Sequence, residues 1–503
     1  MTEPNLVSDD AVRSDRRGFL KRSALGAGAV WTLSLDAFRA RHAEGAPLAP
    51  LPYGPYGQIS PKADEATGLP LLLLPDGFRY ISYSWTGDVM SDGIKCPSLH
   101  DGMGIIDELN GNQRDRWEGP QRGRRRARNS NRWEKDDPRH GHDDEDESES
   151  GLLVLCRNHE GAEGAAFLMR PDITYDAKNG AGGNSNLIFD ATNGRWLAAY
   201  STLAGLVRPC AGGVTPWNTW VTCEETAVDG HGWTFEVGTF NGNPAPIRAM
   251  GRFSHEALMV DPRTGYVYET EDSDRAGFYK FVPNRRGQLS GGGKLYMLKI
   301  WKEDNVKLGE AFDIGTTWNT TWVRVDDPSA ASQSCFEQGF AKGGAEFRRL
   351  EGAWWGDRIG YFLSTNGGVA GEGQVFEYDP RREKLTLIYD SPNSDELDNP
   401  DNITVTPRGG LLLCEDAAGN GFTAGERLIG LTLDGETFTF AQNNINLTAN
   451  QIAAAGKSVS PGNFTQQEWA GACFSPDGRW LFVNIQTPGI TFAITGPWER
   501  GPL

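Results

Sequence analysis

One stretch near the C-terminus decides the fold: residues 468–484 read EWAGACFSPDGRWLFVN. Two apolar runs flank the turn sequence Pro476-Asp477-Gly478, and this arrangement is typical of a β-hairpin. The polar residues Glu468 and Asn484 stand at the two open ends of the hairpin. Because a hairpin brings its ends together, we expect these two side chains to meet at one edge of a sheet.

The same arrangement occurs four more times in the chain. A polar or acidic residue is followed, about 15 positions later, by a second one, and a Pro- or Gly-containing turn lies between them. Each pair should therefore meet at a sheet edge, as in the C-terminal hairpin. The four pairs are Cys210 and Glu225, Glu256 and Glu271, Glu351 and Asn366, and Asp401 and Glu415.

The second strand of the hairpin recurs six times between Glu160 and Asn484, at intervals of roughly 65 residues. That interval has room for four strands and long loops, which is the size of one propeller blade. Glycine is abundant, at 63 of 503 residues, as expected for many short strands and tight turns. We therefore predict an all-β, six-bladed β-propeller with long inserted loops. A pair of β-sandwiches is the alternative, but it does not explain why every copy ends in a polar group at the same phase.

Strand ends that converge on a propeller axis would place eight carboxylates in one ring. So many like charges cannot share a site unless protons or cations neutralise them. Oxygen ligands in this number favour calcium, whereas a thiolate at Cys210 favours a softer metal such as iron. The alternative is that half of these acids are ordinary turn and capping residues. The ring would contain Glu160, Glu225, Glu256, Glu271, Glu351, Asp401, Glu415 and Glu468.

Arg349 is the cation that the pattern places near this ring. It stands two residues before Glu351 and therefore on the same face of the strand. A guanidinium beside a metal cluster can donate two parallel hydrogen bonds to one phosphate or carboxylate group. A salt bridge to a neighbouring acid is the alternative interpretation.

The chain is predicted to hold a signal segment, one catalytic domain and one insertion. Residues 14–21 read SDRRGFLK before a mildly apolar stretch, which is typical of a twin-arginine export signal; a basic N-terminal arm is the alternative. We assign 1–43 to this signal and 44–503 to a single propeller, with 112–150 a charged, disordered insertion. The protein is then expected to use the twin-arginine export machinery and to be periplasmic or secreted, with no membrane span after processing. A net charge of −18 argues against nucleic acid as a partner.

Six motifs follow one another along the chain: CAGG at 210–213, TCEE at 222–225, FRRLEG at 347–352, Pro400-Asp401-Asn402, Cys414-Glu415-Asp416 and EWAG at 468–471. With these motifs in this order, the chain from about residue 150 to the C-terminus resembles the PhoX alkaline phosphatases. The resemblance implies a six-bladed propeller that hydrolyses phosphomonoesters with two ferric ions and two or three calcium ions. The export signal agrees with it, whereas the 112–150 insertion and Gly161, in place of an aromatic residue, depart from the family pattern.

The resemblance also assigns roles to residues. Cys210 resembles the iron-binding thiolate, Glu225 resembles an acid ligand of the iron pair, and Arg349 resembles the phosphate clamp. One of Glu256 and Glu271 should supply a further iron ligand, and Glu271 is preferred. The residues that resemble calcium ligands are Glu351, Asp401, Asn402, Glu415 and Glu468.

The sequence thus predicts an exported, monomeric phosphatase that acts on small phosphate esters. A calcium-dependent lactonase or esterase on the same propeller is the alternative enzyme, and it would be indifferent to Cys210. A calcium-stabilised binding propeller without catalysis is the third possibility.

Overall fold

The computed structural model describes residues 54–109, 151–416, 425–432 and 434–503. The predicted export signal at 1–43 and the predicted insertion at 112–150 lie outside these ranges, so both stay predictions. No helix within the described ranges is long and apolar enough to cross a bilayer.

The described residues form 28 strands, two short α-helices and three 3₁₀ turns, so the all-β prediction is confirmed. In chain order they are β1 (Ile59–Lys62), β2 (Leu72–Pro75), β3 (Arg79–Tyr83), β4 (His100–Leu109), β5 (Leu152–His159), β6 (Gly182–Asp190), β7 (Arg195–Leu206), β8 (Pro209–Val214), β9 (Trp220–Glu224), β10 (Thr234–Val237), a 3₁₀ turn (Arg248–Met250), β11 (His255–Val260), β12 (Val267–Glu271), β13 (Phe278–Pro283), a 3₁₀ turn (Leu289–Gly291), β14 (Gly293–Ile300), β15 (Thr317–Arg324), α1 (Cys335–Phe340), β16 (Leu350–Trp355), β17 (Gly360–Ser364), β18 (Gln374–Asp379), β19 (Lys384–Asp390), β20 (Pro400–Val405), β21 (Leu411–Glu415), β22 (Arg427–Leu431), β23 (Thr437–Asn443), β24 (Asn446–Leu447), α2 (Ala449–Ala454), β25 (Gly462–Asn463), β26 (Trp469–Phe474), β27 (Leu481–Ile485), β28 (Ile490–Thr495) and a 3₁₀ turn (Trp498–Arg500).

The antiparallel sheets are arranged like the blades of a propeller. The strand groups β4–β7, β8–β10, β11–β14, β16–β19, β20–β23 and β26–β28 each run outward from one inner strand. The inner strands β4, β8, β11, β16, β20 and β26 pack side by side in that order, and β26 packs against β4. Strand β15 pairs with the outer edges of β14 and β19, so two of these groups form one continuous nine-stranded sheet.

Strands from the N-terminal region complete the sheets. Strand β3 pairs with β28 along its whole length, from Arg79 opposite Thr495 to Tyr83 opposite Thr491. Strand β4 pairs with β5, so the strand that begins at Leu152 has its partner in the N-terminal region. Strands β1 and β2 extend the edge of β23. The outer edges of two sheets are thereby covered rather than left open to another chain.

All five predicted hairpins form, as the pairs β8–β9, β11–β12, β16–β17, β20–β21 and β26–β27. Near its start each inner strand loses register with its partner, as between His255 and Leu258 or between Leu350 and Ala353. Such a bulge bends a strand and re-aims its side chains. At these bulges the inner strands also come very close together. A Cβ added to Gly102 would lie 2.5 Å from Ala211 Cα, so only glycine fits there.

Side chains from one sheet hold the bulged strand of the next sheet. Asn158 Nδ2 on β5 donates to the carbonyl oxygens of Cys210 (2.9 Å) and Ala211 (2.7 Å) on β8. Asn484 on β27 likewise donates to the Asp101 carbonyl on β4 at 2.6 Å, across the junction between the two ends of the chain. These bonds satisfy backbone groups that the bulges withdraw from the sheet ladders. They fix the inner strands, and with them the residues at the end where these strands begin.

Candidate metal centre

The six inner strands begin at equivalent positions, and we call the end of the molecule where they begin the mouth. The residue just before each inner strand accepts a backbone hydrogen bond from the residue just after its partner strand, at 2.8–3.2 Å. We call these two residues a rim pair. The rim pairs are Leu99 with Glu160, Arg208 with Glu225, Ser254 with Asp272, Arg349 with Thr365, Asn399 with Asp416, and Glu468 with Gln486.

A third equivalent position is the second residue of each inner strand, inside the bulge. Five of the six residues there are candidate metal ligands, and all five are buried. The sixth, on β26, is Ala470, so this sheet contributes Glu468 from its rim pair instead. The five are Asp101, Cys210, Glu256, Glu351 and Asp401.

These positions bring candidate ligands together in two groups. Ligand atoms of Glu160, Cys210 and Glu225 lie within 4.8 Å of one another. Carboxylate oxygens of Glu256, Glu351 and Asp401 form the second group at the same spacing. The first group offers a thiol and two acids, and the second offers oxygen atoms alone. This difference suits one softer and one harder cation.

Burial of so many acids raises their pKa values together. Burial raises the pKa of Glu225 to about 9, and the nearby Glu160 and Asp272 add to the effect although Arg208 opposes it. Burial raises the pKa of Glu160 to about 7 against the opposing effect of Arg208. The pKa of Glu256 lies well above its ordinary value, first because of burial and then because of Asp401. The cluster therefore takes up either protons or cations, as expected for like charges in a low-dielectric site.

Glu256 provides the clearest sign that cations fit here. Its carboxylate is fully buried, and neither of its oxygens accepts a hydrogen bond of normal geometry among the described residues, although the nearby Cys210 thiol lowers its pKa slightly against the effect of burial. A buried carboxylate with no partner is costly, whereas a bound cation satisfies both of its oxygens. The donor set of the cluster therefore matches a metal centre.

The sequence preference for Glu271 over Glu256 is not supported by this geometry. The Glu271 carboxylate accepts hydrogen bonds from Gly277 N at 2.9 Å and Tyr279 Oη at 2.6 Å, inside its own sheet. Glu271 is the last residue of β12, and successive side chains of a strand point to opposite faces. The next residue, Asp272, belongs to the rim pair and reaches the mouth instead.

Glu415 lies away from the cluster for the same reason. Arg427 binds its carboxylate through Nε and Nη2, at 2.8 and 2.6 Å, and Asp398 N donates to it at 3.0 Å. Glu415 ends β21, and the rim residue that follows it is Asp416. Burial raises the pKa of Asp416 to about 6, and Asp401 adds to this effect. A shift of one residue along the strand thus separates the two predicted ligands Glu271 and Glu415 from the mouth.

Glu468 and Asn402, both predicted ligands, lie close to the second group. Burial raises the pKa of Glu468 well above its ordinary value, and Asp416, Asp101 and Asp401 add to it. Asn402 Nδ2 donates to Asp401 Oδ2 at 2.5 Å, and its Oδ1 accepts from Gly471 N at 3.2 Å. The amide therefore orients Asp401 and joins β20 to β26.

Sequence reasoning missed Asp101, which is fully buried beside Cys210. The thiol donates to Asp101 Oδ2 at 3.5 Å, and burial raises the pKa of this carboxyl well above its ordinary value. The hairpin pairs were recognised by a spacing of about 15 residues, whereas a long segment between β4 and β5 separates Asp101 from Glu160 in the sequence. The only signal was a polar pair, His100-Asp101, ahead of an apolar run.

Two guanidinium groups stand at the rim. Arg349 Nε lies 3.0 Å from Asp272 Oδ1, and Arg349 Nη2 lies 2.5 Å from Glu351 Oε1, so the salt-bridge interpretation holds for this structure. Arg208, which the sequence analysis did not single out, places Nη2 at 2.9 Å from Glu160 Oε1 and at 2.5 Å from Glu225 Oε2. Its position two residues before Cys210, like that of Arg349 before Glu351, was the available signal.

The fold and the site together define an all-β, propeller-like protein whose sheet edges converge on buried carboxylates and one thiol. The family described as alkaline phosphatase PhoX matches residues 54–489, and the chain belongs to this family.

One solved structure supports the fold, and two more distant ones are reported with it. Pseudomonas fluorescens PhoX in complex with vanadate, a transition state analogue, is 15% identical and aligns over 88% of this chain and 99% of that chain, with a TM-score of 0.58. A Xanthomonas campestris gluconolactonase is 13% identical over 69% of this chain and 90% of that chain, with a TM-score of 0.32. A putative 6-phosphogluconolactonase from Bacteroides fragilis is 13% identical over 71% and 83%, with a TM-score of 0.35. No curated protein sequence matches the chain significantly.

Proposed function

We propose that this protein is an exported phosphatase that hydrolyses phosphomonoesters at a mixed iron and calcium centre in the channel mouth. The observation that carries the proposal is the buried cluster of acids around Cys210, at equivalent strand positions of a chain in the PhoX family. The twin-arginine pattern at 14–21 supports export to the periplasm or beyond.

The centre would lie on the axis of a six-bladed propeller. Six rim pairs with the same hydrogen bond, and six inner strands in one closed series of contacts, support that number of blades. In this interpretation the nine-stranded sheet is two blades whose outer edges are joined by β15.

The two groups of ligands would divide the metals between them. Cys210, Glu160 and Glu225 would hold iron, because a thiolate prefers a softer ion than calcium. Glu256, Glu351 and Asp401 would hold calcium, with Asp101, Glu468 and Asn402 beside them. We propose that the centre holds two ferric ions and two or three calcium ions. When bound, such metals supply Lewis acidity and lower the pKa of water.

The side chains of the protein would bind and orient the phosphate group. The Arg349 side chain is 34% exposed at the rim, above carboxylates that are far more buried. A guanidinium in this position can donate two parallel hydrogen bonds to phosphate oxygens. In a site largely shielded from water these bonds stabilise charge on the transferring group more than they would in bulk solvent.

The test is hydrolysis of p-nitrophenyl phosphate by the purified protein loaded with iron and calcium, with a lactone and an aryl acetate as comparison substrates. We expect turnover of the phosphate ester alone, and its loss when either metal is removed. Protein that holds both metals and leaves the phosphate ester intact would contradict the proposal. Turnover of the lactone with calcium alone would favour the lactonase alternative.

A further inference from the structure

We propose that Arg208 is a second phosphate-binding residue, which brackets the phosphate together with Arg349 and selects dianionic monoesters. This inference rests on the proposed phosphatase function and deepens it. In the sequence, the resemblance indicated a phosphate-binding role for Arg349 alone.

The two arginines occupy equivalent positions. Arg208 precedes β8 and Arg349 precedes β16. The backbone carbonyl of each accepts the rim-pair hydrogen bond, from Glu225 N and Thr365 N respectively. Both have backbone φ angles in the left-handed region, at 48° and 36°. Each stands two residues before a buried ligand candidate, Cys210 or Glu351. The contacts of the two guanidinium groups with Glu160, Glu225 and Glu351 place both side chains beside the cluster.

Both guanidinium groups are more exposed than the acids they contact. The Arg208 side chain is 46% exposed, whereas its partners Glu160 and Glu225 are 11% and 10% exposed. The Arg349 side chain is 34% exposed, and its partner Glu351 is 2% exposed. An anion that enters the mouth meets the arginines first. A carboxylate that binds a cation attracts a guanidinium less strongly, which leaves the guanidinium available for the anion.

The rim is asymmetric, and this asymmetry predicts how the ester is oriented. The residues that precede the three neighbouring strands β8, β11 and β16 are Arg208, Ser254 and Arg349. Those that precede β20, β26 and β4, on the other half of the mouth, are Asn399, Glu468 and Leu99. The phosphate would lie toward the cationic half and the leaving group toward the other half. Two guanidinium groups match the double charge of a monoester better than the single charge of a diester.

The experiment compares the Arg208→Gln and Arg208→Lys variants with the wild type, all loaded with iron and calcium. Binding of inorganic phosphate is measured by calorimetry, and turnover is measured with p-nitrophenyl phosphate and with bis(p-nitrophenyl) phosphate. For Arg208→Gln we expect phosphate affinity and monoester kcat/KM to fall about 10- to 100-fold, the effect of losing a charged hydrogen bond. The change for the diester should be several-fold smaller, and Arg208→Lys should recover part of the loss.

Arg79→Gln is the matched control. Arg79 is 54% exposed and bonded to Glu65, but it lies on the outermost strand β3 of its sheet. This variant should bind phosphate as the wild type does.

The outcomes separate this inference from the proposed function. If the wild type hydrolyses the monoester and Arg208→Gln binds phosphate equally well, Arg208 is not a phosphate ligand and the inference fails alone. If Arg208→Gln loses metal in elemental analysis, Arg208 acts through the carboxylates and the inference is likewise overturned. If the metal-loaded wild type has no activity, the proposed function fails.

Discussion

Cys210 is the residue that distinguishes one strand of the ring from the others. It occupies the position at which four other inner strands carry a carboxylate. Burial raises the pKa of its thiol well above the ordinary value, and Asp101 and Glu256 add to the effect. Without a cation the thiol therefore keeps its proton. Metal binding must displace that proton, so the affinity of this site for a metal depends on pH.

Replacement of this thiol should remove iron and spare calcium. We expect Cys210→Ser to lose the visible absorption of a ferric–thiolate centre and most of its iron, while elemental analysis still finds calcium. Cys335→Ser is the control, since this buried thiol at the start of α1 donates to the backbone oxygens of Arg252 and Pro328 and belongs to neither group of candidate ligands. A Cys210→Ser protein with full iron content would remove the thiolate from the site.

The pair Glu256 and Glu271 provides a second test. Glu256→Gln should lower the metal content, because a neutral amide replaces a buried carboxylate that has no other partner. Glu271→Gln should keep its metals and instead lose about 1–3 kcal/mol of stability, because Tyr279 and Gly277 lose a charged acceptor. Elemental analysis and urea unfolding measure the two effects. The opposite distribution of effects would restore the sequence preference for Glu271.

The residue types in the sequence predict most members of the cluster, but not which of two adjacent acids lies at the mouth. Glu225, Glu256, Glu351 and Asp401 were all predicted and all lie at the mouth. Glu271 and Glu415 were displaced by one position because each is followed by a second acid, and the sequence does not say which of two adjacent acids ends the strand. Successive side chains of a strand point to opposite faces, so the predicted acid of each pair points away from the axis and its neighbour points toward it.

Among the elements, β21 and β22 are joined by a buried ion pair that the metal site does not use. Glu415 and Arg427 are 2% and 5% exposed, and two hydrogen bonds join their side chains. Glu415→Gln should therefore cost about 3–5 kcal/mol of unfolding free energy, since it leaves a buried guanidinium without its counter-charge.

The control for this pair is exposed. Glu65→Gln breaks the contact with Arg79, in which both side chains are at least 40% exposed, and should cost about 0–1 kcal/mol. Urea unfolding of both variants measures the difference. Equal losses in the two variants would show that Glu415 has a role other than the ion pair.

Strand β13 carries a lysine whose charge should make stability depend on pH. Lys280 lies 4.3 Å from the ring of Trp322 on β15, and burial lowers its pKa from 10.5 to about 8 although Glu383 opposes the shift. Between these values the unfolded chain holds a proton that the folded protein has released, so stability rises with pH.

Lys280→Met removes this contribution. Relative to the variant, the wild type should gain up to about 3 kcal/mol of unfolding free energy as the pH rises from 8 to 10.5. Urea unfolding at a series of pH values measures the difference between the two proteins. A difference that does not change with pH would show that Lys280 stays protonated when folded.

At the scale of the whole molecule, the closed series of inner strands explains why the site exists. Each inner strand lies against two others, so no sheet can shift without disturbing its neighbours at the mouth. Pairing of β3 with β28 ties the N-terminal region to the last hairpin, and Asn484 connects the same sheet to β4. Residues far apart in the sequence, such as Asp101 and Glu468, are thereby held around one axis.

Local sequence patterns predict the hairpins, but they do not predict pairing between strands that are far apart in the sequence. All five hairpins follow from a turn between apolar runs. The pairing of β15 with β19 joins segments more than 60 residues apart, and no turn signal marks it. Asp101 was missed for a similar reason, because its hairpin has a long segment in place of a short turn.

The most direct test of the central claim is anomalous diffraction at the iron edge from crystals of the wild-type protein. The account predicts an iron peak within bonding distance of Cys210 Sγ and of the Glu160 and Glu225 carboxylates, with calcium beside Glu256, Glu351 and Asp401. The absence of iron at Cys210, or an iron peak elsewhere in the molecule, would contradict it.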